Sequence, residues 1–208
     1  MNPRWMPALL VLALGTPAFA SEKFTASKDF DAGDATGVRV RFPAGSLQIA
    51  RSPDRRVHAT MTARCKWGDC SDRVEKMRLV SDQHGDRLDI KLEGLNHHSS
   101  WLEVTLRLEI PRELDVDVDM GAGDLDVRGT EQDVNVELGA GDIDIRVPEQ
   151  AVRSVVLDVG VGDATMRASR GRVRPSGWLG KHLDWDEGEG AARVRVHLGV
   201  GDASVMLD

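Results

Sequence analysis

The chain has 208 residues, a formal net charge of −7 at pH 7, no tyrosine and only 4% aromatic residues. Nucleic acids and anionic lipids bind basic surfaces, so an acidic chain is a poor partner for either. The scarcity of aromatic rings also argues against a surface on which bases or sugars stack. Alternating apolar and acidic segments are abundant while helix signals are few, which predicts a single all-β domain.

Residues 1–20 have the composition of a secretory signal peptide. Arg4 supplies a positive charge, Pro7–Gly15 is a short apolar run, and Ala18–Ala20 has the A-x-A form of a cleavage site. We therefore expect an exported chain that begins near Ser21 and resides in the periplasm, elsewhere in the cell envelope or outside the cell. An uncleaved membrane anchor is the alternative. No segment after residue 20 is long and apolar enough to predict a transmembrane helix.

Residues 21–110 are predicted to form the N-terminal strands and the cap of the domain. Apolar and polar residues alternate at 38–49, 57–64, 88–92 and 102–110, after a leading arm or strand at 21–37. Such period-two alternation is typical of strands with one buried and one solvated face.

A short helix is predicted within this half. Val74, Met77 and Val80 lie three residues apart. Ser71 or Asp72 would cap the helix at its N-terminus. We expect the helix to cover an open end of the sheet, with a strand that begins at Leu79–Val80 as the alternative.

Cys65 and Cys70 are the two cysteines of the chain. In an oxidising compartment such a pair most simply forms a structural disulfide. The alternative is a redox or metal pair, but a redox site favours Cys-x-x-Cys and zinc needs two further ligands. His97 and His98 also suggest a metal, although adjacent residues of an extended segment point to opposite faces, which favours an exposed loop.

Residues 111–208 contain the same unit four times: an alternating segment, a Gly-x-Gly-Asp corner and a second alternating segment. The corners begin at residues 121, 139, 160 and 199, so they are 18, 21 and 39 residues apart. A fainter fifth copy surrounds Pro43–Ser46. An irregular unit is expected within Gly171–Gly190, with a strand around Leu183–Trp185. Trp178 and Trp185 are expected to cover a side or end of the fold, with a ligand-binding pair as the alternative.

A repeat of about 20 residues built from short strands predicts a β-solenoid, or β-helix-like repeat, in which each winding buries its apolar face against its neighbours. An antiparallel sandwich is the alternative. In the solenoid, equivalent residues of successive windings stack in columns. The predicted buried columns are Val118, Val136, Leu157 and Val196; Met120, Leu138, Val159 and Leu198; Leu125, Ile143, Ala164 and Ala203; and Val127, Ile145, Met166 and Val205.

Val/Asp strands interrupted by Gly-x-Gly-Asp resemble the bacterial putative-adhesin family of β-strand-repeat proteins, a domain family of unknown function. The resemblance runs from about Phe24 to Asp208 and is strongest from Trp101 onward. It implies a secreted or envelope β-solenoid without assigned chemistry. We therefore expect a non-catalytic binding or structural module, in which 111–208 forms the repeat part of the same solenoid as 21–110.

The solvated faces are predicted to carry rows of like residues. Such rows keep a long sheet soluble, or they present a rigid charged ladder to an envelope protein or a glycan. The last strand, Ala203–Leu207, would pair with another copy of the chain if it lies at an uncovered edge. The predicted rows are Asp119, Glu137 and Asp158, interrupted by His197; Asp126 and Asp144 beside Thr165 and Ser204; and Arg128, Arg146 and Arg167.

The corner residues Asp124, Asp142, Asp163 and Asp202 are the candidate metal ligands. Stacked windings would place their carboxylates about 4.8 Å apart. In the first interpretation each carboxylate accepts hydrogen bonds from turn amides. In the alternative they bind Ca²⁺, which takes six to eight oxygens, and the protein is a calcium-stabilised surface module. The tandem nonapeptide turn of calcium-binding solenoids is absent.

A small carbohydrate-active enzyme on a β-solenoid is the third hypothesis. Asp126 and Arg146 would be its candidate residues, because polysaccharide-degrading solenoids use Asp and Arg on a sheet face. The chain lacks Gly-x-Ser-x-Gly, His-Glu-x-x-His and a phosphate loop. We therefore predict no catalytic or cofactor-binding residue.

Overall fold

The computed structural model describes residues 23–66, 70–95, 102–177 and 180–208. In these ranges the protein is all-β, and its strands form one open sheet. None of the helices described is long and apolar enough to cross a membrane. The predicted signal peptide, His97, His98 and Trp178 lie outside the described ranges.

The strands follow the predicted segments closely. Between them lie a single helical turn, α1 (Ser71–Val74), and a 3-10 turn at Glu149–Ala151. The strands are β1 (Lys23–Asp31), β2 (Gly37–Arg51), β3 (Arg56–Cys65), β4 (Arg78–His84), β5 (Arg87–Glu93), β6 (Leu102–Ile110), β7 (Asp115–Arg128), β8 (Val134–Val147), β9 (Val152–Val161), β10 (Ala164–Ala168), β11 (Gly171–Val173), β12 (Lys181–Trp185), β13 (Ala192–Val200) and β14 (Ala203–Leu207).

Each repeat unit consists of two strand segments, one on either side of its glycine corner, and we call each such unit a winding. β2, β7 and β8 run through the corner as single long strands, while β9–β10 and β13–β14 are divided there. The windings pair in parallel, in the order β2, β7, β8, β13, β9 before the corner. After the corner β14 pairs in parallel with β8 and β10. The repeats therefore do not form the antiparallel hairpins of a sandwich.

The predicted columns are confirmed by the register of these pairs. Val118 pairs with Val136, Val136 with Val196, and Val196 with Leu157. All four side chains are buried, within one contiguous apolar core. The order of the windings differs from their order in the chain, because β13–β14 lies between β8 and β9–β10.

The fifth copy is also confirmed. Val40 pairs with Val118, Gly45 with Gly123 and Leu47 with Leu125. The corners approach closely enough that a Cβ on Gly141 would overlap the carbonyl oxygen of Gly123. Gly141 has a φ of 139°, a conformation that L side chains rarely adopt.

Other strands cover both ends of the parallel windings. At one end β5 and β6 lie beside β2, and β4 and β3 continue the sheet in antiparallel pairing. At the other end β12 is antiparallel to β9 and β11 is antiparallel to β10. β14 is an interior strand, so the predicted edge role of Ala203–Leu207 is wrong. The predicted irregular strand is confirmed as β12, where Trp185 is buried.

The structure does not show the predicted capping helix. The N-cap of α1 is Cys70, which makes no side-chain capping hydrogen bond, so the prediction of Ser71 or Asp72 at that position is wrong. Val80 lies in β4 because that strand pairs with β5 along its whole length, and tertiary pairing overrides local propensity. The Cys65–Cys70 disulfide is confirmed, with its Cα atoms 5.9 Å apart, and it ties the end of β3 to α1.

Candidate functional site

Seven strands direct alternate side chains to one surface, the sheet face before the corner on the side away from the apolar core. We call this surface the outer face. The register defines two adjacent rows across it, which in the repeat units lie two and four residues before the first residue of each corner. The rows are Lys91, Arg41, Asp119, Glu137, His197, Asp158 and His182; and Asp89, Arg39, Asp117, Asn135, Arg195, Val156 and Asp184.

The first row differs from the predicted row of acids in one respect. Asp119 and Glu137 are neighbours as predicted, but His197 lies between Glu137 and Asp158 rather than after Asp158. The reason is the position of β13 between β8 and β9. Acidic residues and histidines therefore alternate across β8, β13, β9 and β12, and the row ends at His182 on β12.

The basic residues on β2 and β5 already have acidic partners. Arg39 lies 3.6 Å from Asp117, and Arg87 contacts the same carboxylate. Arg41 lies 3.5 Å from Asp89. Lys91 similarly has Glu93 at 3.2 Å. Each of these cations thus has an acidic partner within the protein, with Arg39 and Arg87 sharing one carboxylate.

Asp119 and Glu137 differ from Asp89, Asp117 and Asp158 of the outer face, which all have basic partners. Neither forms a hydrogen bond or an ion pair within the part of the chain that the structure describes. Both side chains are exposed, on neighbouring parallel strands. The charge left without a partner here is therefore negative.

Two adjoining depressions surround these carboxylates, and together we call them the charged groove. The first has a volume of about 260 Å³ and is polar, with Asn135 and Glu137 at one side. The second has a volume of about 350 Å³ and a mostly apolar floor, at which Pro43 is half-buried while the side chains of Phe42 and Leu92 are almost fully buried. Arg41 and Asp119 line both depressions, so the two adjoin at these residues. The groove offers an apolar surface beside an uncompensated pair of carboxylates.

The corner aspartates form the predicted row, in the order Asp124, Asp142, Asp202, Asp163. Asp142 and Asp202 each accept a hydrogen bond from a backbone N–H of the next winding, instead of from their own turn. In the ranges described, no group of three or more His, Cys, Asp or Glu residues is arranged to hold a metal ion. The row thus has a structural use that requires no ion.

The predicted polar rows after the corner are confirmed, with β14 inserted. Asp126 and Asp144 are followed by Ser204 and Thr165, and Met206 lies between Arg146 and Arg167. Two hydrogen bonds of 2.6 Å join Arg128 to Asp126, and they hold the pKa of Asp126 below its usual range. Arg146 similarly donates to Asp144 at 3.0 Å. The two residues considered for carbohydrate chemistry, Asp126 and Arg146, thus each pair with a neighbour on their own strand.

Two histidines lie against carboxylates. His182 Nδ1 is 2.6 Å from Asp158 Oδ1, and this hydrogen bond raises the pKa of His182. His58 lies between Asp29 and Asp54, at 2.9 and 3.0 Å, and these bonds raise the pKa of His58. Neither arrangement was predicted from the sequence: Asp158 and Asp29 come from other strands, and Asp54, four residues before His58, lies in the bend that precedes β3.

The sequence analysis also missed the charged groove. Its walls come from β2, β5, β7 and β8, and β5 lies outside the repeats. One signal was present: Arg39 and Arg41 in the fifth copy occupy the positions of Asp117 and Asp119 in the first. That comparison would have predicted opposite charges on adjacent strands.

The fold has known relatives. A crystal structure of a putative cell adhesion protein from Clostridium sporogenes superposes with a TM-score of 0.59 and 12% identity, covering 90% of this chain and 100% of that chain. A putative adhesin from Bacteroides fragilis matches with a TM-score of 0.28 and 11% identity, covering 89% of this chain and 98% of that chain, and no argument rests on it. No curated protein matches the chain.

The family assignment comes from the sequence itself. A model of the N-terminal domain of toast_rack, DUF2154, matches residues 18–167, which is more than half of the chain. The similarity to bacterial adhesin-like proteins that the repeats predicted is thereby confirmed. The chain belongs to the family of the N-terminal domain of toast_rack, DUF2154.

Proposed function

We propose that this protein is an exported, non-catalytic binding module of the bacterial envelope that recognises a partner protein through the charged groove. The observation that carries this proposal is the pair Asp119 and Glu137, which has no cationic partner within the described chain and lies beside an apolar floor. Fold similarity to a cell adhesion protein, the disulfide and the signal-like N-terminal sequence support it.

The strands that carry the groove are held rigidly, which favours binding. β7 and β8 stay in register on both sides of the corner, from Val116 and Val134 to Arg128 and Arg146. The parallel windings act as an open β-solenoid segment, of which 21–110 and 111–208 are parts of one unit. Because backbone ladders fix the strands, the carboxylates of the groove are held in place before the partner arrives, which lowers the entropic cost of binding.

The chemistry of the groove specifies the partner. Two carboxylates on adjacent strands, about 4.8 Å apart, repel each other by about 1 kcal/mol in water. A cation between them removes that repulsion, and the neighbouring floor accepts an apolar group. The ligand is therefore a segment of a partner protein that carries a basic side chain next to an apolar one.

The test uses two labelled peptides, Lys-Leu-Lys-Leu and Glu-Leu-Glu-Leu, with blocked ends and fluorescence anisotropy as the readout. The basic peptide should bind the mature protein in a salt-dependent manner, and the acidic peptide should not. Asp119→Asn with Glu137→Gln should weaken binding by about tenfold or more. Asp184→Asn is the matched control, since it removes a charge from the same face outside the groove. The proposal would be ruled out if the two peptides bound with equal affinity. It would also be ruled out if the double variant bound the basic peptide as tightly as the wild type does.

A further inference from the structure

A second cavity lies at the opposite end of the windings from the corners, away from the charged groove. It has a volume of about 250 Å³. The 3-10 turn before β9, the residues after β10 and the residues after β12 enclose it. Its principal lining residues are Trp185, Ala168, Glu149, Arg170, Glu187 and Glu189.

The wall of this cavity is rigid on one side. Trp185 is only 8% exposed and packs in the core, so the indole has a fixed position. Glu149 accepts hydrogen bonds of 2.7 Å from both the N–H and the hydroxyl of Ser169. These bonds hold the pKa of Glu149 below its usual range, so this carboxylate stays ionised at neutral pH.

The charges in the cavity do not balance. Glu187 lies 3.8 Å from Arg170, and these two largely cancel. Glu149 and Glu189 remain, and Glu189 forms no hydrogen bond or ion pair with any residue in the ranges described. Three carboxylates against one guanidinium leave a net charge of −2 beside an indole.

We propose that this cavity binds an alkylammonium group, such as the side chain of a lysine on a partner molecule. An indole attracts a cation to its face and an alkyl stem to its apolar surface. Ala168 extends the apolar surface, and the two uncompensated carboxylates receive the ammonium. This site does not depend on the charged groove, which lies on strands β2, β5, β7 and β8.

The test is a titration of the mature, ¹⁵N-labelled protein with N-acetyl-lysine methylamide, followed by NMR through the indole N–H signal of Trp185. A Trp185→Phe variant assigns that signal. We expect a saturable shift with the lysine probe and none with N-acetyl-norleucine methylamide, which has the same stem without the charge. Glu189→Gln should weaken the affinity by about threefold or more, as expected for one exposed charge pair.

Asp186→Asn is the matched control, because Asp186 is close in sequence and pairs with Arg153 at 3.8 Å outside the cavity. The control should keep the wild-type affinity. A shift of equal size with the norleucine probe would overturn the proposal, as would a lack of saturation or an unchanged affinity in Glu189→Gln. The Asp119→Asn and Glu137→Gln double variant should still bind the lysine probe here, which separates this site from the groove.

Discussion

Asp142 and Asp202 lie 60 residues apart in the chain, and Asp142 Oδ1 accepts a hydrogen bond from the backbone N–H of Asp202 at 3.2 Å. Asp202 Oδ1 in turn accepts from the N–H of Asp163 at 2.9 Å. A similar relay at the start of the windings joins Asp115 to the N–H of Asp133 at 3.2 Å. Side chains therefore connect the windings at both ends of the parallel strands, in addition to the backbone ladder.

The first prediction concerns this relay. Asp202→Ala should lower the free energy of unfolding by about 1 kcal/mol, because the N–H of Asp163 loses its acceptor. Asp163→Ala removes a carboxylate from the same row that accepts no such bond, and it should change stability by less than about 0.5 kcal/mol. Urea unfolding measures both. Equal losses in the two variants would show that the relay does not contribute to stability.

The same row yields a prediction for calcium. Because Asp142 and Asp202 accept amide hydrogen bonds, we expect the melting temperature to be the same in EDTA and in millimolar Ca²⁺. Differential scanning calorimetry on the mature protein measures it. A clear rise in the melting temperature with Ca²⁺, abolished in Asp142→Asn, would instead favour the calcium-stabilised module.

The third prediction tests the close approach of the corners. Gly141→Ala should lower the free energy of unfolding by more than about 3 kcal/mol, since its Cβ would overlap the carbonyl oxygen of Gly123. Gly171→Ala is the control: its φ is 123°, but a Cβ there meets open space. Backbone strain alone should lower the free energy of unfolding of Gly171→Ala by about 1 kcal/mol. Similar losses in both variants would show that the corners are not in contact.

The fourth prediction concerns pH. Asp158→Asn should lower the pKa of His182 toward its ordinary value, because the hydrogen bond to the carboxylate raises it in the native protein. NMR titration of the imidazole measures the change, and His58 is an internal control that should keep its raised pKa. An unchanged His182 titration in the variant would contradict the pairing.

The sign of the effect on stability follows from linkage. The folded-state pKa of His182 lies above the unfolded value, which is about 6.5. The pair therefore stabilises the protein fully below that unfolded value, and its contribution disappears as the pH rises through the folded pKa. Any stability difference between the wild type and Asp158→Asn should accordingly shrink on the alkaline side of neutrality.

The fifth prediction concerns the disulfide. Reduction of the Cys65–Cys70 bond should lower the free energy of unfolding by about 2 kcal/mol, because the bond closes a short loop in the unfolded chain. Urea unfolding with and without a phosphine reductant measures this difference. A variant that carries both Cys65→Ala and Cys70→Ala should not respond to the reductant. No change in the wild type would show that the bond does not restrict the unfolded chain.

Local pattern was sufficient to predict the strands of the repeat units and the register between them. The Val118, Val136, Val196 and Leu157 column follows from period-two alternation around a fixed corner, because a slip of one residue would expose every apolar side chain. The bend at each corner could also be predicted, since the φ of 139° at Gly141 is a conformation that L side chains rarely adopt and glycine adopts readily.

The order of the windings could not be predicted in the same way. Equivalent columns result whichever winding lies next to β8, because each of the four units carries apolar residues at the same positions relative to its corner. The helix prediction failed for a related reason: Val80 has helical spacing from Val74 and Met77, but β5 supplies a long-range partner for β4. The charged groove likewise depends on long-range pairing, of β5 with β2, β2 with β7 and β7 with β8, so its residues could be predicted only one at a time.

The winding order is the central claim, because it sets which charges meet on the outer face. Spin labels at Ala44→Cys with Val161→Cys, and at Ala44→Cys with Val200→Cys, test it directly by pulsed EPR distance measurement. Val161 and Val200 are 56% and 53% exposed, and both native cysteines are in the disulfide.

Ala44 lies four strands from Val161 and three from Val200. At about 4.8 Å per strand, the backbone separations are about 19 and about 14 Å. The account predicts the longer distance for the pair with Val161. A longer distance for the pair with Val200 would mean that the windings follow chain order, and it would contradict the account.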